Sequence, residues 1–235
     1  MITSENCWLK DSCPKNKRGE CENSSFCIKL FKLNTLYDQA LLSLSQRKHT
    51  DLYLDNDNSD KEVFTTLSSI EKNIEQFVSK GENIFIHSLT TGNGKTAWAI
   101  RLIQSYFNCI WYKSDLSCKA LFINVPKFLL ALKESTTKPS DYVNHIKENI
   151  ENADIVVWDE IGTKTATEYE HEHLLSLINN RIDNGKTNIY TSNLSSANLR
   201  EKLGERLYSR IVNYSIDLEF KGRDKRYIAR KQDIE

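Results

Sequence analysis

Residues 89–96 read LTTGNGKT, and four of them, Gly92, Gly94, Lys95 and Thr96, are the types that together grip a phosphate. A glycine-rich turn lets backbone N–H groups come close to phosphate oxygens. A lysine ammonium then reaches the β and γ phosphates, and a threonine hydroxyl ligates magnesium. Asn93 and Ala97 complete the stretch that would wrap the phosphates. The motif G-x-x-x-x-G-K-[ST] asks for glycine at its first position, and this chain has Leu89 there. That glycine mainly lets the chain leave the strand, whereas the closest phosphate approach falls at Gly92 and Gly94. Leu89 should therefore cost at most about 1 to 3 kcal/mol if its backbone is strained, and nothing if the turn takes negative φ.

A second group of residues fits the same chemistry. The run IVVWDEIG places Asp159 at the end of an apolar strand, where it could orient hydrated magnesium, and Glu160 beside it could polarise an attacking water. The run TNIYTSN ends at Asn193, which could hydrogen-bond a γ-phosphate or cap a helix. In LGERLYSRI, Arg206 and Arg210 stand one helical turn apart. Guanidinium groups neutralise charge on a transferring phosphoryl group and, supplied by a neighbouring subunit, make hydrolysis depend on assembly; a surface salt bridge is the plain alternative.

These residues need strands and helices to hold them. NIFIHS precedes the glycine loop and the helix-like AWAIRLIQSYF follows it, and ALFINV, IVVWDEI, TNIYTSN and YSIDLEF are further strand-like runs. Strands alternating with helices predict an α/β fold with a parallel sheet covered on both faces. Upstream, apolar residues at helical spacing predict helices over 28–47 and 64–78, the second stopping at Gly81, with the polar stretch HTDLYLDNDNSDKE between them as a linker.

Composition narrows the function classes. The 235 residues carry 32 basic and 32 acidic side chains, so any contact with a polyanion must be local rather than global. No window approaches the roughly 18 apolar residues needed to cross a bilayer, and no leader pattern opens the chain, so the expectation is a cytoplasmic protein without a membrane partner. Four of the six cysteines, Cys7, Cys13, Cys21 and Cys27, fall within the first 27 residues as C-x5-C-x7-C-x5-C. In a reducing compartment such crowding suggests zinc more than disulfides, although the spacing is looser than paired C-x2-C knuckles.

Taken in order, SLTTGNGKT, VVWDEIG, YTSNLS, LGERLYSRI and EFKGRDKR resemble the DnaC/DnaI-type replicative helicase loaders, an AAA+ ATPase family, over roughly residues 64 to 228. The resemblance implies a five-stranded AAA+ P-loop core that binds ATP and Mg2+ and acts on a hexameric replicative DNA helicase and single-stranded DNA. It assigns Lys95 and Thr96 to Walker A, Asp159 and Glu160 to Walker B, and Asn193 to sensor 1. Arg210 becomes the arginine finger used in self-association, with Arg206 second, and Arg226 takes a sensor-2-like part. Only about 15 residues follow the last strand, which leaves no room for a C-terminal helical lid and looks like the compact loaders of phages or mobile elements. The implied division is a cysteine-rich, helicase-contacting segment with a helix (1–48), a linker (49–62) and the ATPase domain (63–235). Two other functions fit these motifs: an IstB-type transposition helper ATPase, and an adaptor that binds nucleotide without hydrolysing it.

Overall fold

The computed structural model describes residues 13–21, 25–48, 52, 59–163 and 167–225. Each of the five apolar runs is a strand: β1 (Asn83–His87), β2 (Ala120–Asn124), β3 (Ile155–Asp159), β4 (Thr187–Ser192) and β5 (Ser215–Glu219). They form one sheet in the order β2-β3-β4-β1-β5, parallel throughout. In β1, β3 and β4 every residue is buried, as expected for strands covered on both faces.

The helices preceding β1 are α1 (Pro14–Lys17), α2 (Ser25–Gln39), α3 (Leu44–Lys48), α4 (Lys61–Lys72) and α5 (Ile74–Ser79). The connections between strands supply α6 (Lys95–Ile110), α7 (Val125–Glu134), α8 (Asp141–Asn149), α9 (Glu168–Asp183) and α10 (Ser196–Val212). Because side chains alternate along a strand, each strand feeds two cores. Ile84, Ile86, Ile155 and Val157 face α4, α5 and α6, packing with Leu67, Phe77, Trp98 and Phe107. Phe85, Val156 and Trp158 face the other layer, packing with Phe128, Ile146, Leu174 and Leu207. α2 belongs to the first layer, where Leu33 and Leu36 are buried together with Ala40 and Leu42 just beyond it.

The helix expected over 28–47 is broken after Gln39: Leu41 takes φ 62°, and the chain turns before α3 begins. The turn covers the outer edge of the sheet. Phe122 N–H of β2 donates to the Ala40 carbonyl at 2.9 Å, and the Cys118 thiol donates to the Gln39 carbonyl at 3.4 Å. One backbone donor of an edge strand is thereby paired.

Candidate functional site

The glycine loop leaves the carboxyl end of β1 and runs into α6, next to the carboxyl ends of β3 and β4, where open α/β sheets bind ligands. Gly92 (φ 71°) and Gly94 (φ 107°) take left-handed backbone conformations that a side chain would oppose. Gly94 is the amino-cap of α6, its side makes no cap, and the first turn of the helix has no acidic residue. The positive end of the helix dipole thus faces the loop with no acidic residue in the helix's own first turn, an arrangement that suits an anion. Leu89 is exposed and is not among the described non-glycine residues with positive φ, which are Leu41, Leu116 and Glu160. The turn has been reshaped around leucine without strain.

Lys95 is buried, and its ammonium donates to the Thr90 carbonyl at 2.9 Å and to Asn93 Oδ1 at 3.0 Å. Asn93 Nδ2 donates in turn to Ser88 Oγ at 2.7 Å, which also receives the Thr90 N–H at 3.0 Å. The loop is held in shape by its own side chains, with Lys95 satisfied by acceptors that a phosphate could replace.

Thr96 Oγ1 donates to Asp159 Oδ1 at 2.9 Å, joining the loop to β3 across 63 residues of sequence. The same Oδ1 receives the Thr191 hydroxyl at 2.8 Å, and Thr191 Oγ1 accepts the Glu160 N–H at 3.0 Å. Burial raises the Asp159 carboxyl above its ordinary value, with the Thr191 and Thr96 hydrogen bonds opposing that rise. Such a carboxylate is held ionised most readily by a bound cation. Glu160 has φ 60°, a conformation costly for a residue with a Cβ, and its Oε2 accepts from Asn124 Nδ2 at 3.1 Å. The turn beyond it is locked on β4: Ile161 N–H donates to the Thr191 carbonyl at 2.9 Å and Ser192 Oγ to the Ile161 carbonyl at 2.8 Å.

The sequence reading passed over two of these side chains. Thr191 stands two residues before Asn193 and makes the contacts that tie Asp159 to Glu160, while Asn193, at the strand tip, is half-buried. Asn124 ends β2. Each is a polar residue at the carboxyl end of an apolar strand, the signal that drew attention to Asp159, and that signal applied to every strand would have found both.

The arginines lie elsewhere. α10 starts just after β4 and descends to the amino end of β5, interrupted at Gly204 (φ 69°, ψ 162°), so Arg206 and Arg210 share its second half. Arg206 is exposed; Arg210 lies 3.9 Å from Asp183 and 5.3 Å from the Tyr214 ring. Tyr214 precedes Ser215, which pairs with Asn83 at the start of β1, whereas the glycine loop follows the end of β1, about 13 Å along the strand. Arg210 therefore stands at the opposite end of the strands from its own loop. Arg226 lies outside the described residues, as does Cys7. Cys13, Cys21 and Cys27 are partly exposed thiols, and no group of three or more His, Cys, Asp or Glu among the described residues is placed to hold a metal ion. Nor is any described helix long and apolar enough to cross a membrane.

No protein-family model matches the chain, and no curated protein matches its sequence significantly. The fold does have matches among solved structures. A DnaC helicase loader aligns with TM-score 0.60 at 21% identity, covering 76% of this chain and 100% of that one. A putative primosome component from Streptococcus pyogenes serotype M3 aligns with TM-score 0.60 at 17% identity, covering 82% and 98%. The replication initiator DnaA, solved with AMPPCP and single-stranded DNA, aligns with TM-score 0.56 at 18% identity, covering 77% of this chain and 52% of that one. This chain therefore shares its fold with a DnaC helicase loader and with DnaA.

Proposed function

We propose that this protein is an ATPase of DNA replication that binds a hexameric replicative helicase and loads or remodels it on single-stranded DNA. The observation that carries the ATPase half is the Thr96–Asp159 contact, because it brings a phosphate-loop hydroxyl and a strand-end carboxylate to the one place where Mg2+ would need both. Thr96 and Asp159 would hold the ion, which would screen phosphate charge when bound. Lys95 leaves Thr90 and Asn93 for the β and γ phosphates. Glu160 polarises the attacking water while Asn124 and Thr191 fix its position, and Asn193 reads the γ-phosphate. The AMPPCP in a structure of the same fold supports a nucleoside triphosphate as ligand.

Because Arg210 stands away from its own loop, a finger from it acts on a neighbouring subunit, so hydrolysis rises with self-association; Arg206 is the second candidate for that part. Arg226 follows the last described residue and is assigned to the nucleotide by the resemblance alone. The helicase half rests on the order of the motifs and on the loader among the fold's neighbours. The proposed grip on the helicase is the cysteine-rich segment; zinc binding by Cys7, Cys13, Cys21 and Cys27 is a reading of sequence alone, and metal analysis of the purified protein decides it. Two measurements test the whole. Lys95→Ala should abolish ATP hydrolysis, and hydrolysis at the wild-type rate refutes the phosphate loop. The wild type should co-purify with the replicative helicase of its host; binding to no hexameric helicase removes the loader and leaves a transposition helper or adaptor.

A further inference from the structure

Asp60 is the amino-cap residue of α4, a position where aspartate ordinarily accepts a hydrogen bond from its own helix. Here its side chain makes no such cap. The carboxylate is fully buried and takes the Lys221 N–H at 2.8 Å and the Gly222 N–H at 2.9 Å on Oδ1, and the Lys225 ammonium at 3.0 Å on Oδ2. All three donors belong to the segment after β5. A buried carboxylate costs several kcal/mol unless it is paired and hydrogen-bonded, so Asp60 is tolerable in this position only while that segment is docked.

The docked segment runs straight to the phosphate loop. It begins where Phe220 N–H donates to the carbonyl of His87, the last residue of β1, at 2.8 Å, and it reaches the loop where Lys225 N–H donates to the Gly92 carbonyl at 2.9 Å. Phe64 closes its flank, edge-on to Trp98 with ring centres 5.3 Å apart, 5.9 Å from Phe220 and 5.1 Å from the Lys225 ammonium. In a planar trans peptide the carbonyl and the following N–H point opposite ways. A Gly92 carbonyl fixed by Lys225 therefore turns the Asn93 N–H to the side away from the segment.

We propose that Asp60 and Lys225 are positioning residues of the nucleotide site: their ion pair straps residues 220–225 across the phosphate loop, fixes the Gly92–Asn93 peptide, and couples docking of the strap to nucleotide affinity. This rests on nucleotide binding at residues 92–96 as proposed above. Coupling is reciprocal, so a strap that strengthens nucleotide binding is itself held more firmly when nucleotide is bound.

The test uses methylanthraniloyl-ADP with Mg2+ as probe, titrated by fluorescence against wild type, Lys225→Met, Lys225→Arg and Asp60→Asn. Lys225→Met keeps the aliphatic stem and the backbone N–H and loses only the charge. Expected are at least tenfold weaker binding for Lys225→Met and Asp60→Asn and recovery to within threefold of wild type for Lys225→Arg, a rescue that general loosening of the fold would not give. In wild type, trypsin cleavage after Lys221, Arg223 and Lys225, followed by mass spectrometry, should slow at least tenfold with saturating probe. Wild-type affinity in both Lys225→Met and Asp60→Asn overturns the strap, and so does a cleavage rate unmoved by nucleotide; the second holds even if the variants do not fold. A wild type that binds no probe overturns the nucleotide reading instead.

Discussion

At the amino ends of the strands, Arg181 of α9 is 1% exposed, and its guanidinium donates to Asn188 Oδ1 at 2.8 Å, to the Ala153 carbonyl at 2.9 Å, to the Thr187 carbonyl at 2.7 Å and to the Ile150 carbonyl. Asn188 also receives the Trp158 indole N–H at 3.1 Å and gives its backbone and amide N–H groups to Asn83 Oδ1 at 2.7 and 3.0 Å. At the carboxyl ends, Asp159 is 5% exposed, accepts the Thr96 and Thr191 hydroxyls, and forms no ion pair among the described residues. The backbone there takes left-handed conformations at Gly92 and Gly94, which glycine adopts freely, and at Glu160, where a Cβ makes it cost energy. Buried polar groups that satisfy one another specify a structure. A buried carboxylate outside any ion pair, beside a strained glutamate, is instead the mark of a place where something binds.

The largest effect should come from breaking the satisfied end. Arg181→Met would take this donor from several buried carbonyls and leave the Asn188 oxygen with the Trp158 N–H alone, and a loss on the order of 3 to 5 kcal/mol is expected. That is a large share of a domain's total stability. Burial already pulls this guanidinium down to about 10, a sign of how dry the site is. Urea unfolding measures the loss. A variant within about 1 kcal/mol of wild type would mean the network is not structural, and the contrast between the two ends would fail.

Asp159→Asn sharpens the contrast from the other end. Hydrolysis should fall by about 100-fold or more, because the amide supplies no charge for the cation. Stability should move the opposite way. Burial raises the Asp159 carboxyl in the folded protein above its unfolded value. A group shifted in that direction contributes its stability fully below the unfolded value and loses it as pH rises through the folded one. At pH 7 without Mg2+ the wild type therefore carries a cost that asparagine escapes. Melting temperatures should be equal or higher in the variant at pH 7, with the difference shrinking toward pH 4. A variant less stable at pH 7 than at pH 4, relative to wild type, would contradict the assignment.

Glu160 gives a smaller effect of the same kind. Glycine adopts φ 60° without steric cost, so Glu160→Gly should stabilise the fold by about 1 kcal/mol while removing hydrolysis. Urea unfolding beside an ATPase assay checks both. Loss of stability would show that the Asn124 hydrogen bond outweighs the strain.

These two ends were not equally legible in the sequence. All five strands lie where apolar runs placed them; β1, β3 and β4 are buried on both faces and need little beyond their own residues, while the mostly exposed β5 is marked by its apolar residues at alternate positions. Lys95, Thr96 and Asp159 were legible because phosphate chemistry restricts residue type and spacing. Arg181 was not, since nothing in EHEHLLSLINNRID distinguishes a buried arginine from a solvated one; its acceptors are carbonyls contributed by distant turns. Asp60 was read within a polar linker for the same reason, its three donors lying 161 to 165 residues away. The helix break after Gln39 escaped because Leu41, Leu42 and Leu44 continue the apolar period while tertiary contact with β2 dictates the turn.

Leu89 is where the contrast makes its finest prediction. Positive φ at the site falls where glycine stands or, with a steric cost, at Glu160; Leu89 bears no such strain, having taken negative φ and an exposed side chain. Restoring the motif's glycine then relieves nothing and adds freedom to the unfolded chain. Leu89→Gly should bind methylanthraniloyl-ADP within about twofold of wild type, or roughly 0.4 kcal/mol, and lose a few tenths of a kcal/mol of stability. Tenfold tighter binding would place hidden strain in the turn and move Leu89 from the relaxed part of the molecule to the poised one.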